Sequence, residues 1–214
     1  MQIELSRITK NVRVKEFLDI GCGAGDFAKI LYEKGYKISC VDSAIEKPYY
    51  IKGIDVNYHI IDYNNYEIEN FKGMDNGTII LRHVLEHIKT PNLFIKKILA
   101  YGGDIFYIVV PNISSLKNKI LRSYNCYLDP PRHIWHFNKT SLEVFFERFN
   151  LKIINFGYYT IPTFIPSLYR FLRIKRVPER IYKYFEPQGP IATLSLPLDW
   201  LLPNDVIWFI LRKK

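Results

Sequence analysis

Short apolar runs alternate with stretches of helical periodicity over the first half of the chain. Runs bounded by glycine or turn residues predict buried strands in VKEFLDIG, YKISCVD, VNYHIID, GTIILRH and GGDIFYIVVPN. Between the first two, Phe27, Ile30 and Leu31 share one face of a predicted helix over residues 26–34, which Gly35 ends. PNLFIKKILAY predicts a second helix with Pro91 in its first turn. This alternation predicts a mainly parallel α/β sheet covered by helices on both faces.

The pattern loosens after Pro111. SSLKNKILRSY is consistent with a basic helix, NCYLDPPRHIWHF with a loop, and NKTSLEVFFERFN with a helix that Thr140 or Ser141 could cap. LKIINFGYYT predicts a sixth strand and NDVIWFILRKK a last one. With two acids and two prolines, the apolar stretch IATLSLPLDWLLPNDVIWFIL is a poor candidate for a membrane-spanning helix.

Composition excludes several classes of protein. The chain is 48% hydrophobic and 24% charged, which is typical of a soluble globular protein. Its three cysteines are scattered and odd in number, which argues against a disulfide framework or a zinc site and suits a cytoplasmic location. The N-terminus lacks the apolar centre of a signal peptide.

Charge is concentrated in one segment. The formal net charge of +9 resides entirely in residues 112–185, and basic and aromatic residues alternate within residues 164–185. Three interpretations compete: contact with an anionic membrane surface or lipid-linked substrate, recognition of an anionic acceptor, and RNA binding. A plain solvated basic face is the fourth. We rank RNA lowest, since no separate RNA-binding module is evident.

A glycine-rich loop follows the first predicted strand, in FLDIGCGAGDFAKIL. Gly21, Gly23 and Gly25 have the spacing G-x-G-x-G, whereas a dinucleotide fingerprint is G-x-G-x-x-G and a P-loop needs G-K-[ST]. Asp26 takes the place of the third glycine of the dinucleotide pattern. Together with Asp19, it would repel a pyrophosphate, so the loop favours a cationic or zwitterionic ligand over a dinucleotide. A tight turn without a ligand is the structural alternative.

This segment resembles motif I of the class I S-adenosylmethionine-dependent methyltransferases, and the resemblance extends over most of the chain. It implies a Rossmann-like single domain over residues 1–214, with a seven-stranded sheet whose last strand is antiparallel. It also implies S-adenosyl-L-methionine as cofactor, with Asp42 on the ribose, Asp62 and Tyr63 at the adenine, and Arg82 and His83 beside the methionine part. The expected cofactor-binding residues are Asp19, Gly21, Cys22, Gly23, Gly25, Asp42, Ser43, Asp62, Tyr63, Arg82 and His83.

Several of these residues also have purely structural interpretations. Asp42 could cap a following helix, and Asp62 and Tyr63 could be ordinary turn residues. Cys22 is expected to fill the loop and contribute its backbone, not a reactive thiol. The set of matched positions, in the order of the family, is more specific than the glycine loop alone.

Histidines are the candidates for a general base, because their pKa lies near neutrality. His133 and His136 lie in the proline-stiffened DPPRHIWHF segment, and His87 lies in LEHIKTP. The two loop histidines could instead cap the next helix or pack under Trp135, and His87 could fix its loop by hydrogen bonds. The ubiquinone-pathway O-methyltransferases have Glu-x-x-Glu-His around this position, and the acids of that motif are implicated in metal binding. Here His83 replaces the first acid, so no metal is expected.

The sequence therefore predicts transfer of a methyl group to a small-molecule or glycan-like acceptor, including a lipid-linked or anionic glycan, with oxygen favoured over nitrogen. Residues 112–138 and 163–203 would enclose the substrate, and residues 164–185 could make peripheral contact with the inner face of a membrane. The absence of an Asn-Pro-Pro-Tyr type motif argues against nucleic acid. Two alternatives stay open: a cofactor-binding regulatory subunit without catalysis, and a nucleotide-dependent oxidoreductase on the same fold.

Overall fold

The computed structural model describes residues 1–13, 16–171 and 196–214. Its strands form one sheet in the order β4-β3-β2-β1-β5-β6-β8-β7. The strands are β1 (Glu16–Ile20), β2 (Lys37–Asp42), β3 (Asn57–Asp62), β4 (Glu67–Ile68), β5 (Thr78–Arg82), β6 (Ile105–Pro111), β7 (Leu151–Tyr159) and β8 (Val206–Lys213). The described helices are α1 (Gln2–Asn11), α2 (Asp26–Glu33), α3 (Pro91–Leu99), α4 (Leu116–Leu121), α5 (Lys139–Glu147), α6 (Phe164–Phe171) and α7 (Leu196–Leu201).

The sheet confirms the predicted parallel α/β architecture. β1 pairs in parallel with β2 and β5, and the parallel pairing continues to β3 on one side and β6 on the other. The last strand, β8, inserts antiparallel between β6 and β7, as expected. The expected number of seven strands was wrong, because the described sheet has eight. The two-residue β4 pairs antiparallel with the end of β3, and a strand this short leaves no period in the sequence.

Helices cover both faces of the sheet. Because successive strand residues point to opposite faces, Phe17 and Leu18 of β1 belong to two separate apolar layers. α3 and α5 pack on one face, through side chains that include Phe94 and Phe146. α1 and α2 pack on the other face, where Phe27 is fully buried.

The predicted cap of α5 was wrong. Asn138 begins the helix, its side chain accepting from the backbone N–H of Ser141 at 2.8 Å, while the Ser141 hydroxyl accepts from the Asn138 N–H at 3.0 Å. Ser141 thus takes part as the third residue of a capping box, and Thr140 takes no part in it. Since Asn138 supplies the cap, His133 and His136 do not.

Lys117 connects several of the described segments that follow β6. Its fully buried ammonium group donates to Asp205 at 2.7 Å, to Thr163 at 2.9 Å and to Asp199. These contacts tie α4 to α7, to the loop before α6 and to the start of β8. Lys117 was counted in the basic excess of residues 112–185, but it lies in the interior beside two carboxylates and adds nothing to the surface charge.

The basic aromatic segment is described only in part. Residues 164–171 form α6, and residues 172–185 lie outside the described residues. The expected contact of this segment with a membrane or an anionic acceptor therefore stays a prediction. Among the helices that the structure describes, none is long and apolar enough to cross a bilayer.

Candidate functional site

A cleft of about 370 Å³ opens at the carboxyl ends of the parallel strands. The chain runs from β1 outward to β2 and β3 and then returns to place β5 on the other side of β1, so the strand order reverses there. In open α/β sheets, ligands bind at this reversal point. The cleft is lined by Gly21, Asp42, Ser43, Tyr63, Asn64, Tyr66, His83, Val84, His87, Ile88 and Lys89.

The glycine loop reaches the cleft through Gly21 and needs its glycines, whereas Cys22, Gly23 and Gly25 do not line the cleft, and their contact with a cofactor stays a prediction. Gly21 and Gly25 have φ values of +74° and +83°, a region that other residues rarely adopt. A Cβ atom on Gly21 would also collide with Val84, and one on Gly25 would lie 3.0 Å from Ile51. The loop therefore brings bare backbone to the cleft. Cys22 is buried, and the hydrogen bond with Cys40 and burial raise the pKa of its thiol, which fits a filling role.

Asp42 ends β2 and is fixed by backbone donors. One carboxylate oxygen accepts from the N–H of Gly23 at 2.8 Å, and the other accepts from the N–H of Ser43 at 2.7 Å. The second oxygen also lies 3.4 Å from the Ser43 hydroxyl, a long contact that the hydroxyl can give up by rotating. The carboxylate could therefore still accept from two vicinal hydroxyls. The expected alternative, a helix cap, does not apply, because the next element is a short 3₁₀ turn that starts at Tyr49.

Asp19 lies beneath the loop in an apolar setting. It is 2% exposed, and burial raises its pKa to about 7, although the nearby guanidinium of Arg82 opposes the shift. Its carboxyl is therefore only partly ionised at neutral pH, whereas the sequence argument treated it as a full negative charge. Arg82 is not among the residues that line the cleft. It pairs with Glu4 of α1 at 3.3 Å and lies over the ring of Phe27, so its contact with a cofactor stays a prediction.

We expect Asp19→Asn to stabilise the free protein, and more so at alkaline pH. The pKa is higher in the folded than in the unfolded chain, so ionisation costs folding free energy from about pH 4 upward and in full above about pH 7. The shift sets an upper bound of about 4 kcal/mol. We expect a gain of about 1–3 kcal/mol at pH 8 and a smaller one at pH 5. Urea unfolding at both pH values measures it, with the exposed Asp55→Asn as control, and equal changes at the two pH values would contradict the assignment.

The end of β3 supplies the far wall of the cleft. Tyr63 and Asn64 line it, while Asp62 turns one carboxylate oxygen to the backbone and side-chain N–H groups of Asn64, both at 2.8 Å. Tyr63 is therefore placed where a planar ring could stack. Asp62 is not a lining residue, and its contact with an adenine stays a prediction.

A second group of polar side chains adjoins the cleft beyond His83. The ring of His83 lies 3.3 Å from a carboxylate oxygen of Glu86 and 3.1 Å from the hydroxyl of Tyr127. Glu86 is fully buried, and its second carboxylate oxygen has no hydrogen-bond partner among the described residues. Burial raises the pKa of Tyr127 well above its usual range, so Tyr127 stays a neutral hydroxyl.

His87 and His133 complete this group. Their ring centroids are 4.7 Å apart, and the loop that carries His133 is held by hydrogen bonds from the N–H groups of Ile134 and Trp135 to the Glu86 carbonyl. Burial is the largest cause that lowers the pKa of His133, so the neutral imidazole predominates at pH 7. His136 is exposed and lies outside this group. The indole of Trp135 donates to the carbonyl of Ile88, so it also fixes the loop.

Comparison with known families decides the identity. Residues 2–155, well over half of the chain, match the model of a family described as a methyltransferase domain. The chain belongs to this methyltransferase family. No curated protein matches the sequence of this methyltransferase.

Solved structures agree on the fold of the methyltransferase. A SAM-dependent methyltransferase from Archaeoglobus fulgidus is 18% identical, with a TM-score of 0.63 over 99% of this chain and 93% of that one. Phosphoethanolamine N-methyltransferase 2 of Haemonchus contortus, solved with S-adenosyl-L-methionine, is 16% identical, with a TM-score of 0.61 over 99% of this chain and 52% of that one. The 1,6-didemethyltoxoflavin-N1-methyltransferase of Burkholderia thailandensis, solved with S-adenosylhomocysteine, is 15% identical, with a TM-score of 0.56 over 100% of this chain and 76% of that one.

Sequence reasoning missed part of the methyltransferase site. Asn64, Tyr66, Val84, Ile88 and Lys89 line the cleft. They follow strand ends, and that position was the one available signal for them. Nothing in the sequence pointed to Tyr127 or to the meeting of Glu86 with His133, because these residues come from separate segments.

Proposed function

We propose that this methyltransferase methylates a hydroxyl oxygen of a small polar acceptor, a glycan-like compound included. Its cofactor is S-adenosyl-L-methionine, in keeping with its family and with the neighbours solved with that compound or its product. The observation that carries the proposal is the group of Glu86, His87, His133 and Tyr127, which adjoins the cofactor cleft beyond His83.

The residues of the cleft fit this cofactor. The carboxylate of Asp42 could accept from the two ribose hydroxyls if the Ser43 hydroxyl rotates away, and the N–H of Gly23 holds the glycine loop beside it. Asp19 could balance the positive charge of the amino acid part once it is ionised. When bound, the sulfonium supplies a methyl group that needs no further activation. The protein then has to orient the acceptor, exclude water and remove a proton.

Oxygen is favoured because a hydroxyl must lose a proton during methyl transfer. A neutral amine attacks through its own lone pair, whereas a hydroxyl gains from a base or from an ion that lowers its pKa. The neutral imidazole of His133 and the buried carboxyl group of Glu86 are the groups that would give this assistance. The exposed side chains of Ile134 and Trp135 offer an apolar edge beside them for the body of the acceptor.

Other features of the acceptor stay predictions. A lipid-linked or anionic glycan would suit the basic residues of the 112–138 and 163–203 segments, which include the exposed Lys119 of α4 and Arg122 directly after that helix. Contact of residues 164–185 with the inner face of a membrane would serve the same substrate. The family assignment favours methyl transfer over the oxidoreductase alternative.

Methyl transfer can be tested with a donor that carries a deuterated methyl group. The purified protein is incubated with a metabolite and glycan extract from a strain that lacks its gene, and products are found by mass spectrometry. We expect a labelled compound whose methyl group is bonded to oxygen by NMR. Label on nitrogen or carbon would overturn the oxygen assignment. Binding of S-adenosylhomocysteine without any labelled product would support the regulatory alternative. Asp42→Ala serves as the control for enzyme-dependent labelling.

A further inference from the structure

Three side chains near the cleft have the arrangement of a metal site. Glu86, His87 and His133 each offer one ligand atom, and all three atoms lie within 4.8 Å of one another. Glu86 and His87 belong to the 3₁₀ turn Leu85–His87 that follows β5, and His133 reaches them from the loop before α5. Hydrogen bonds from the N–H groups of Ile134 and Trp135 to the Glu86 carbonyl, at 2.8 Å and 3.1 Å, hold the two segments together.

The ring of His87 is oriented for coordination. Its Nδ1 lies 2.9 Å from the carbonyl oxygen of Arg132, and since a carbonyl can only accept, Nδ1 carries the proton. The lone pair therefore resides on Nε2. A backbone carbonyl that fixes the tautomer and the ring plane in this way is a usual partner of metal-binding histidines.

Two polar atoms in the group lack partners among the residues that the structure describes. Oε2 of the fully buried Glu86 accepts no hydrogen bond, and Nδ1 of His133 is equally without one. Leaving a buried carboxylate oxygen unpaired costs on the order of several kcal/mol of folding free energy. A cation held between the carboxylate and the two imidazoles would give the buried carboxylate the partner that it lacks.

The donor set selects the kind of ion. Two imidazole nitrogens and one carboxylate oxygen suit borderline first-row ions such as Zn²⁺ and Co²⁺, whereas Mg²⁺ and Ca²⁺ prefer oxygen ligands throughout. Three protein ligands leave a coordination position open, which is the arrangement of catalytic rather than structural zinc. His87 also lines the cleft, so an ion held by these residues would lie beside it.

We propose that Glu86, His87 and His133 bind a divalent transition-metal ion, and that its open position takes the acceptor oxygen. The role of the ion at the acceptor oxygen rests on the proposed function. Bound to the ion, the acceptor hydroxyl has a lowered pKa and releases its proton to water. Its oxygen lone pair then forms the bond to the methyl carbon, and the electron pair of the broken carbon–sulfur bond stays on sulfur.

Metal binding is tested directly with Co²⁺ and Zn²⁺ on the full chain after treatment with a chelator. We expect one ion per chain by calorimetry, visible absorption bands when Co²⁺ binds, and loss of those bands when Zn²⁺ is added. His133→Ala and His87→Ala should weaken binding on the order of 100-fold, since each removes one of three ligands. His136→Ala, a neighbour in the same loop, should keep the affinity for both ions.

The outcomes separate this proposal from the proposed function. Each variant is first checked for folding by thermal unfolding and for binding of S-adenosylhomocysteine. No bound ion in the folded protein, or unchanged affinity in both ligand variants, would overturn the metal site. Oxygen methylation that survives chelation would overturn the role of the ion in the reaction and leave the proposed function intact. If an ion binds but no oxygen is methylated, the role of the ion at the acceptor is overturned, while the metal site itself is supported.

Discussion

Replacement of Asp42 by alanine is expected to weaken the binding of S-adenosylhomocysteine on the order of 100-fold. Such a loss corresponds to about 2.7 kcal/mol of binding free energy. The carboxylate has two effects that the variant removes together. It offers the remaining lone pairs to two hydroxyls, and it accepts from the N–H of Gly23 at 2.8 Å, which holds the glycine loop against β2.

Asp42→Asn separates these two effects. Its single carbonyl oxygen can keep one of the two partners, so we expect an affinity between those of Asp42→Ala and the unchanged protein. Asp55→Ala, a change of an exposed acidic residue, is the control for altered net charge. Calorimetry with S-adenosylhomocysteine measures all three variants. Affinity of Asp42→Ala within about a factor of two of the unchanged protein would reject a ribose contact.

Replacement of Lys117 by methionine is expected to lower the free energy of unfolding by about 3–5 kcal/mol. The side chains are similar in length, so packing is nearly kept and the loss is electrostatic. Asp205 and Asp199 would stay buried without their cation, and burial already raises the pKa of Asp205 although Lys117 opposes it. Urea unfolding monitored by circular dichroism measures the change.

Lys119→Met is the matched control for this change, because Lys119 is an exposed residue of the same helix. We expect a change within about 0.5 kcal/mol for it. Adding Asp199→Asn and Asp205→Asn to Lys117→Met should recover part of the lost stability, since the buried negative charge is then gone. A small effect of Lys117→Met alone, comparable to that of the control, would show that the buried charges do not depend on this lysine.

Local pattern was sufficient for most of the secondary structure. The strand from Glu16 to Ile20, the helix that follows the glycine loop and its end at Gly35 were predicted, because period and turn residues are properties of neighbouring positions. Failures came where the local signal was weak. The strand from Glu67 to Ile68 is too short to show a period, and Asn138 competed with two hydroxyl residues for the cap of α5.

The candidate site also has one part that local sequence pattern predicts and another that depends on packing. Part of the expected cofactor-binding set meets at one cleft because these residues lie at or after strand ends, and the carboxyl ends of parallel strands meet at one edge of the sheet. Their contact with the cofactor stays a prediction. Gly21, Asp42, Ser43, Tyr63 and His83 all line the cleft. On the proposed acceptor side, His87 and His133 were named as candidates, but their meeting with Glu86 could not be predicted, since it depends on how the loop before α5 packs against the turn after β5.

The sequence by itself therefore determined the elements, the class of the sheet and the position of the glycine loop. The tertiary structure alone decided that Glu86, His87 and His133 converge and that Lys117 lies in the interior. It also decided that Asp19 titrates near pH 7. The physical reason is that periodicity and turn chemistry act between neighbours along the chain, whereas burial and the meeting of side chains depend on packing between distant segments.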